Sequence, residues 1–218
     1  QPEKAKDPAF IAAIRELAPE ISVVVAYGQI LRREVLDIPE RGSINVHASL
    51  LPELRGAAPI NWALKLGHEQ TGITIMRMVE RMDAGPILRQ VAEPIQPEET
   101  ATDLWSRLSE LGAAALIETL MLLELGSIEE LEQDESRATF APRLTRESTR
   151  IEWRENAVQV SRHIRAMDAI PGAWTLHEDA ELKVFRPAPE PEYEHDAEPG
   201  TVLHVTGTDV AKGMRVAC

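Results

Sequence analysis

The stretch Ile21-Ser22-Val23-Val24-Val25-Ala26, followed by Tyr27-Gly28, decides how the chain reads. A short, uncharged run with three valines is the mark of a strand buried on both faces of a parallel sheet. A parallel strand needs helical crossovers, so strands and helices should alternate outward from it. Upstream, Asp7 as N-cap, Pro8 in the first turn and a stripe of Phe10, Ile11, Ile14 and Leu17 predict a helix that Pro19 stops. Downstream, Tyr27-Gly28 turns into a short helix over 29–36. Residues 43–47 form the next strand, with Ile44 and Val46 on one face and Asn45 and His47 on the other. Pro59 opens a helix through Leu66 that Gly67 closes. Strands over 73–79 and 87–93 follow. Thr102 is expected to cap a long helix with a stripe of Leu104, Leu108, Leu111, Ala115, Leu122 and Leu125, ended by Gly126. The pattern over 1–126 is an α/β domain with a mixed or mostly parallel sheet.

The pattern then changes. Residues 127–146 are charged, lack periodicity and read as a linker. Over 147–218, a strand at 151–153 and a helix from the Asn156 cap to about Ala166 are expected. Turn signals at Pro171-Gly172, Glu178-Asp179 and Gly207 then separate short strands at 174–176, 182–186, 201–205 and 215–217. This is the pattern of a small β-rich domain, of the barrel kind. The Pro/Glu tract over 187–199 reads as a solvated loop. The first domain opens on a helix, and its first ten residues, QPEKAKDPAF, hold no initiator Met and no apolar signal core. The expectation is that strands precede Gln1 and that the last domain stops mid-strand.

Composition narrows the function. A chain of 218 residues with 44% hydrophobic and 27% charged residues is globular. A net charge of −13 argues against a protein that coats nucleic acid non-specifically. The single cysteine, Cys218, allows neither an intrachain disulfide nor a thiolate metal cage. No apolar run reaches the roughly 20 residues of a membrane span, so a soluble, reducing, cytoplasmic setting is expected.

Two places could carry chemistry. Asn45 and His47 share a face at the carboxyl end of a strand, where open α/β sheets bind ligands. An imidazole there can trade a proton near neutral pH, and an amide can donate to a developing oxyanion. The competing reading is that both satisfy loop carbonyls. Asp83, in Arg81-Met82-Asp83-Ala84-Gly85-Pro86, is by itself a turn former. In the loop after a neighbouring strand, it could reach the same cleft and orient the imidazole or accept a proton through water. His163 and His177 read as structural, and Met76, Met78 and Met82 as core. The histidines are too scattered for a zinc site, and no metal is expected.

Together these residues resemble the folate-dependent formyltransferases. Ile44-Asn45-Val46-His47-Ala48-Ser49-Leu50-Leu51-Pro52 is similar to the family's Asn-x-His…Ser-Leu-Leu-Pro signature. Arg55-Gly56-Ala57-Ala58-Pro59-Ile60 continues it in the form of the tRNA-acting members. Thr71-Gly72-Ile73-Thr74-Ile75-Met76, Met82-Asp83-Ala84-Gly85-Pro86-Ile87 and the segment from Val24 to Leu31 follow the same family. Arg150-Ile151-Glu152-Trp153 and Ile164-Arg165-Ala166 resemble its C-terminal domain. The resemblance implies a Rossmann-like formyltransferase domain followed by a small barrel of the oligonucleotide-binding type, both incomplete. It implies catalytic positions at Asn45, His47 and Asp83, and tetrahydrofolate contacts at Ser49, Leu50, Leu51 and Pro52. Tyr27, Gly28, Ile30 and Leu31 would help wall the pterin pocket, and the Leu51–Pro52 bond is expected to be cis. The implied reaction moves the formyl group of 10-formyltetrahydrofolate to initiator methionyl-tRNA, with a protonated His47 and Asn45 facing the oxyanion in a monomeric enzyme. The alternatives are a sibling acting on a nucleotide sugar, a formyl-folate hydrolase, or a non-catalytic remnant that binds tRNA or folate. Glu53 departs from the pattern, standing where the tRNA-acting members commonly carry a basic residue.

Overall fold

A computed structural model describes residues 3–205 and 213–218. The expected Gly207 turn lies outside them. Asp7 caps the first helix, α1 (Pro8–Leu17), by accepting the Ala9 amide, and Ala18 ends it in a left-handed conformation. Leu17 is exposed, so the apolar stripe is one residue shorter than expected. Strand β1 (Ser22–Val25) follows, and the helix after it, α2 (Arg33–Leu36), is only a single turn. Strand β2 (Ser43–His47) runs into the two-residue β3 (Arg55–Gly56) and then helix α3 (Pro59–Leu66), which ends at a left-handed Gly67. Strands β4 (Gln70–Arg77) and β5 (Ile87–Pro94) lead to the long helix α4 (Ala101–Glu124). Thr100, not Thr102, caps α4. Its hydroxyl accepts the Asp103 amide, while the Asp103 carboxylate takes the Thr100 amide in return.

The central sheet has the order β1-β2-β4-β5. β1 and β2 are parallel, and the pairs β2·β4 and β4·β5 are antiparallel, so the sheet is mixed. Among the described residues β1 stands at the edge of the sheet, with one of its faces covered. Val24 packs under α1 and α2 with Ile11, Val35 and Leu36, while Val25 on the other face is 57% exposed. Three consecutive valines could not reveal this, because the run is apolar on both faces whichever one is covered.

Register sorts the side chains. Ile44 and Val46 of β2 lie on the α4 side, where Ile44, Ile73 and Ile75 pack against Leu104, Leu108 and Ala115. Asn45 and His47 therefore lie on the opposite face, opposite Met76 and Thr74 of β4.

Residues 127–146 are not a free connection. Strand β6 (Phe140–Ala141) pairs in parallel with β3, and Leu131 exchanges both backbone hydrogen bonds with Ile87 at 2.7 and 2.9 Å. Beyond it, helix α5 (Ala157–Met167) is capped by Asn156 and lies on α3, where Asn61 Nδ2 donates to the Ala166 carbonyl at 2.7 Å. Val160, Ile164, Met167 and Ala173 join the same apolar core as Ile44 and Leu104, so this core is continuous between the two halves.

The expected strand at 151–153 is absent. Arg150, just before it, makes an isolated bridge to Trp174, the Ile151 amide donates to the Trp174 carbonyl at 2.8 Å, and Trp153 Nε1 donates to the Thr175 hydroxyl at 2.9 Å. Strands β7 (Ala173–His177) and β8 (Ala180–Val184) form one antiparallel pair; β9 (Val202–Val205) and β10 (Met214–Val216) form another. Among the described residues these are two separate small sheets and not a closed barrel. Met76 and Met78 pack in apolar clusters as expected, but Met82 is exposed. No helix among the described residues is long and apolar enough to cross a membrane.

Candidate active site

His47 is the last residue of β2, and the chain leaves it into a loop that folds back under the ring. Leu54, in a left-handed conformation at φ 58°, turns its carbonyl toward His47 Nε2 at 3.0 Å. A carbonyl only accepts, so Nε2 carries the proton of the neutral imidazole and Nδ1 presents its lone pair. Nδ1 faces Asp83 Oδ2 at 3.8 Å.

Asp83 enters from the loop between β4 and β5, also left-handed at φ 51°, with its side chain 17% exposed. Its Oδ2 accepts the Gly56 amide at 2.8 Å. Gly56 holds φ 126°, and a Cβ there would stand 2.5 Å from the Ala141 carbonyl, so only glycine fits between the two strands and still offers its N–H. Non-glycine residues in the left-handed region persist where their surroundings over-determine them. Here two of them flank one imidazole.

Burial pushes the His47 imidazole below its ordinary value. The Asp83 charge and the Leu54 carbonyl pull the other way and only partly offset it. The ring is thus uncharged at neutral pH. Loss of water around the ring outweighs one carboxylate that is not in hydrogen-bond contact. Asn45, on the same strand face and partly buried, makes no side-chain hydrogen bond among the described residues, so its amide donors are available.

The loop after His47 is held from below. Thr74, fully buried, donates from Oγ1 to the Ser49 carbonyl at 2.6 Å and accepts the Leu51 amide at 3.1 Å and Gln90 Nε2 at 2.9 Å. Gln90 also donates to the Leu51 carbonyl at 2.7 Å. Ser49 Oγ donates to the Glu53 carbonyl at 2.6 Å. Leu51 packs on Met76 and Ile87, Leu50 stands beside Gly72, Pro52 is buried and the Leu51–Pro52 bond is cis. The departing residue Glu53 pairs with Arg137 at 3.2 Å.

The segment 27–31 is a different matter. Tyr27 and Leu31 pack in the α1/α2 cluster, the Tyr27 hydroxyl is buried without a partner, Gly28 is left-handed and Ile30 is 79% exposed. No hydrogen bond among the described residues joins this segment to 49–52. Ile30 instead lines a cavity of about 260 Å³ with Lys4, Ala5, Lys6, Gln29 and Arg32, which includes neither His47 nor Asp83.

The structure also brings in residues that sequence reasoning left out. Gln133 and Glu135 reach from 127–146 to bind Arg55, and Gln133 binds the Asp83 loop as well. An aperiodic charged segment carries no local signal for such a role. His163 Nε2 donates to the Thr149 carbonyl at 3.3 Å in a buried setting, the structural part expected of it.

A model described as formyl transferase matches residues 1–120, and one described as formyl transferase, C-terminal domain, matches residues 143–218. The chain is 45% identical, over its whole length and 69% of the relative, to methionyl-tRNA formyltransferase of Anaeromyxobacter sp. strain K. It is 44% identical to that of Geobacter sulfurreducens, over its whole length and 67% of the relative. The chain thus spans about two thirds of these relatives. Among solved structures, HypX from Aquifex aeolicus in complex with tetrahydrofolic acid superposes with a TM-score of 0.74 at 23% identity, over 90% of this chain and 34% of the other. A sugar N-formyltransferase from a Shewanella species gives 0.71 at 21% identity, over 85% and 76%. At such identities these two structures speak for the fold. With both family models matched in order and relatives near 45% identity along the whole chain, the chain belongs to the formyltransferase family.

Proposed function

We propose that the chain carries the formyl transfer of a methionyl-tRNA formyltransferase, moving the formyl group of 10-formyltetrahydrofolate to the α-amine of initiator methionyl-tRNA. The observation that carries the reading is the approach of His47 Nδ1 to Asp83 Oδ2 beside an unpartnered Asn45 amide. The likeness to the named relatives supports the choice of acceptor. A sugar amine as acceptor has only fold-level likeness behind it.

The folate supplies an activated formyl group, and residues 49–52 would hold it, with Tyr27, Gly28, Ile30 and Leu31 as an outer wall. The partly buried Asn45 amide is a polar group that a bound polar substrate would satisfy. In the reaction the amine nitrogen bonds to the formyl carbon, the bond from that carbon to N10 breaks, and one proton passes from the amine to N10. Asn45 donates to the oxygen that gains charge. His47, neutral and with Nε2–H tied to Leu54, can take a proton only at Nδ1. Asp83 lies beside that atom and stabilises the imidazolium that results. The proton then leaves from the same side toward N10. His47 cannot rotate away without breaking its bond to the Leu54 carbonyl, and Asp83 is fixed by the Gly56 amide. A cytoplasmic monomer and a division into a catalytic part over 1–126 and a tRNA-binding part over 147–218 complete the proposal.

The test is formyl transfer by the full gene product from labelled 10-formyltetrahydrofolate to methionyl-tRNA, to a nucleotide-linked sugar amine, and to water. Transfer to methionyl-tRNA alone supports the reading. Transfer chiefly to the sugar, hydrolysis alone, or tRNA binding without transfer would each replace it.

A further inference from the structure

His47 ends strand β2 and Asp83 belongs to the β4–β5 loop, and one buried side chain ties the segment that follows His47 to that loop. Gln133 donates through Nε2 to the carbonyls of Asp83, at 2.9 Å, and Gly85, at 2.8 Å. Its Oε1 accepts from Arg55 Nε at 3.0 Å and from a terminal guanidinium nitrogen at 2.6 Å. All the capacity of the amide is spent on these two loops.

Arg55 is 2% exposed, an unusual degree of burial for a guanidinium. Two further donors go to Glu135, at 2.9 and 3.1 Å. Glu135 also accepts from Arg81, on the other side of the Asp83 loop, and these two arginines hold its carboxyl down at about 2. Arg55 is next in sequence to Leu54, whose carbonyl fixes His47, and to Gly56, whose amide fixes Asp83. At Gly85 the backbone is pressed on the end of β4, where a Cβ would stand 1.9 Å from the Arg77 carbonyl. The Asp83 loop is therefore held at its carbonyls by Gln133, at its carboxylate by Gly56 and at its exit by β4.

We infer that Gln133 is a positioning residue for the reaction: it sets Asp83 against His47 by tying the Asp83 loop to Arg55. The inference rests on the proposed role of the His47–Asp83 pair. It assigns a mechanistic part to a residue that lies between the two family models, which match 1–120 and 143–218.

Two variants of the full gene product test it. Gln133→Glu keeps the acceptor for Arg55 and replaces only the donor with an oxygen that repels the two loop carbonyls. Gln133→Met removes the whole amide without adding charge, and Arg55 keeps Glu135. Both should lower kcat for formyl transfer by roughly ten- to a hundredfold, with KM for the folate changed less than about threefold. The second readout is the NMR titration of His47. With Asp83 displaced, the Gln133→Met protein should titrate His47 at lower pH than the parent, in the direction given by Asp83→Asn, and the two changes together should shift it no further than Asp83→Asn alone. A merely structural strap would lower the melting temperature and leave the His47 titration and kcat at the parent's values, which overturns the inference. Should Gln133→Met fail to fold, kcat of Gln133→Glu decides. Asp83→Asn run alongside separates the two levels: activity retained there sinks the proposed reaction, whereas activity lost there but kept in both Gln133 variants sinks only the positioning role.

Discussion

Two loops leave the carboxyl ends of the parallel strands β1 and β2, and they are built on opposite plans. The loop after β2 is tied down along its length, with Ser49, Leu51, Leu54, Arg55 and Gly56 all hydrogen-bonded to side chains or strands outside it. The loop after β1 has one comparable tie, Gln29, whose amide links it to Ala5 and Glu3. Fixed donors and acceptors at a reacting centre need no reorganisation when charge develops, whereas a surface that only closes around a substrate can adjust. Of the residues proposed to react, His47 immediately precedes the tied loop and Asp83 is bonded to its Gly56, whereas the residues of the proposed pterin wall lie on the loose one.

The largest effect should come from the tied side. Asn45→Ala removes the proposed oxyanion donor and should cost about 3–4 kcal/mol of barrier, a loss of roughly a hundred- to a thousandfold in kcat. Circular dichroism and the melting temperature should stay near the parent's, because the Asn45 side chain makes no hydrogen bond among the described residues. Loss of the fold in this variant would mean that the amide is structural after all.

Thr74→Val is next. It keeps the volume but deprives the Ser49 carbonyl, the Leu51 amide and Gln90 of a partner inside the protein. Unfolding in urea should show a loss of about 1–3 kcal/mol. KM for the folate should rise with it, if this network shapes the contact loop. A stability loss with KM unchanged would separate the loop from substrate binding.

Acid stability compares the two halves of the molecule. His47 and His163 are both lowered by burial, and at His163 Lys65 adds to the effect. Their folded values lie below the unfolded one, so the unfolded chain binds protons first. The stability from neutral burial is complete above about pH 6.5 and is lost as the pH falls through the folded values, at no more than about 1.4 kcal/mol per pH unit for each histidine. His163→Gln should flatten the acid limb of a urea-stability profile without moving the pH dependence of kcat. An unchanged slope would mean that His163 is protonated in the folded state.

The smallest effect belongs to the loose loop. Tyr27→Phe removes a buried hydroxyl that has no partner and should be neutral or stabilising by up to about 1 kcal/mol. A clear destabilisation in the substrate-free protein would reveal a partner for that hydroxyl. A rise in KM at unchanged stability would place the segment in the folate pocket.

What could be read from the sequence follows the same division. Pro59 and Gly67 mark the ends of α3, and alternation in 43–47 gives both the strand and its two faces, because these signals are local. The cap of α4 was legible as Thr100 with Asp103 three residues on, although Thr102, nearer the apolar stripe, draws the reading. The edge position of β1 and the separate sheets of the C-terminal part depend on which strands pair, and no single strand encodes that. The approach of Asp83 to His47 could be suggested from motif order, but the neutral state of the ring follows from burial that only the folded chain shows. The Arg55–Gln133 tie spans residues far apart in sequence, so its members look like ordinary surface residues until the chain is folded.

Single-turnover formyl transfer by Asp83→Asn, measured beside folate binding, bears most directly on the claim that His47 and Asp83 form one proton-handling pair. The account predicts transfer slowed by at least about a hundredfold, with folate affinity near the parent's. Transfer at the parental rate, with the substituted side chain still accepting the Gly56 amide, would contradict it.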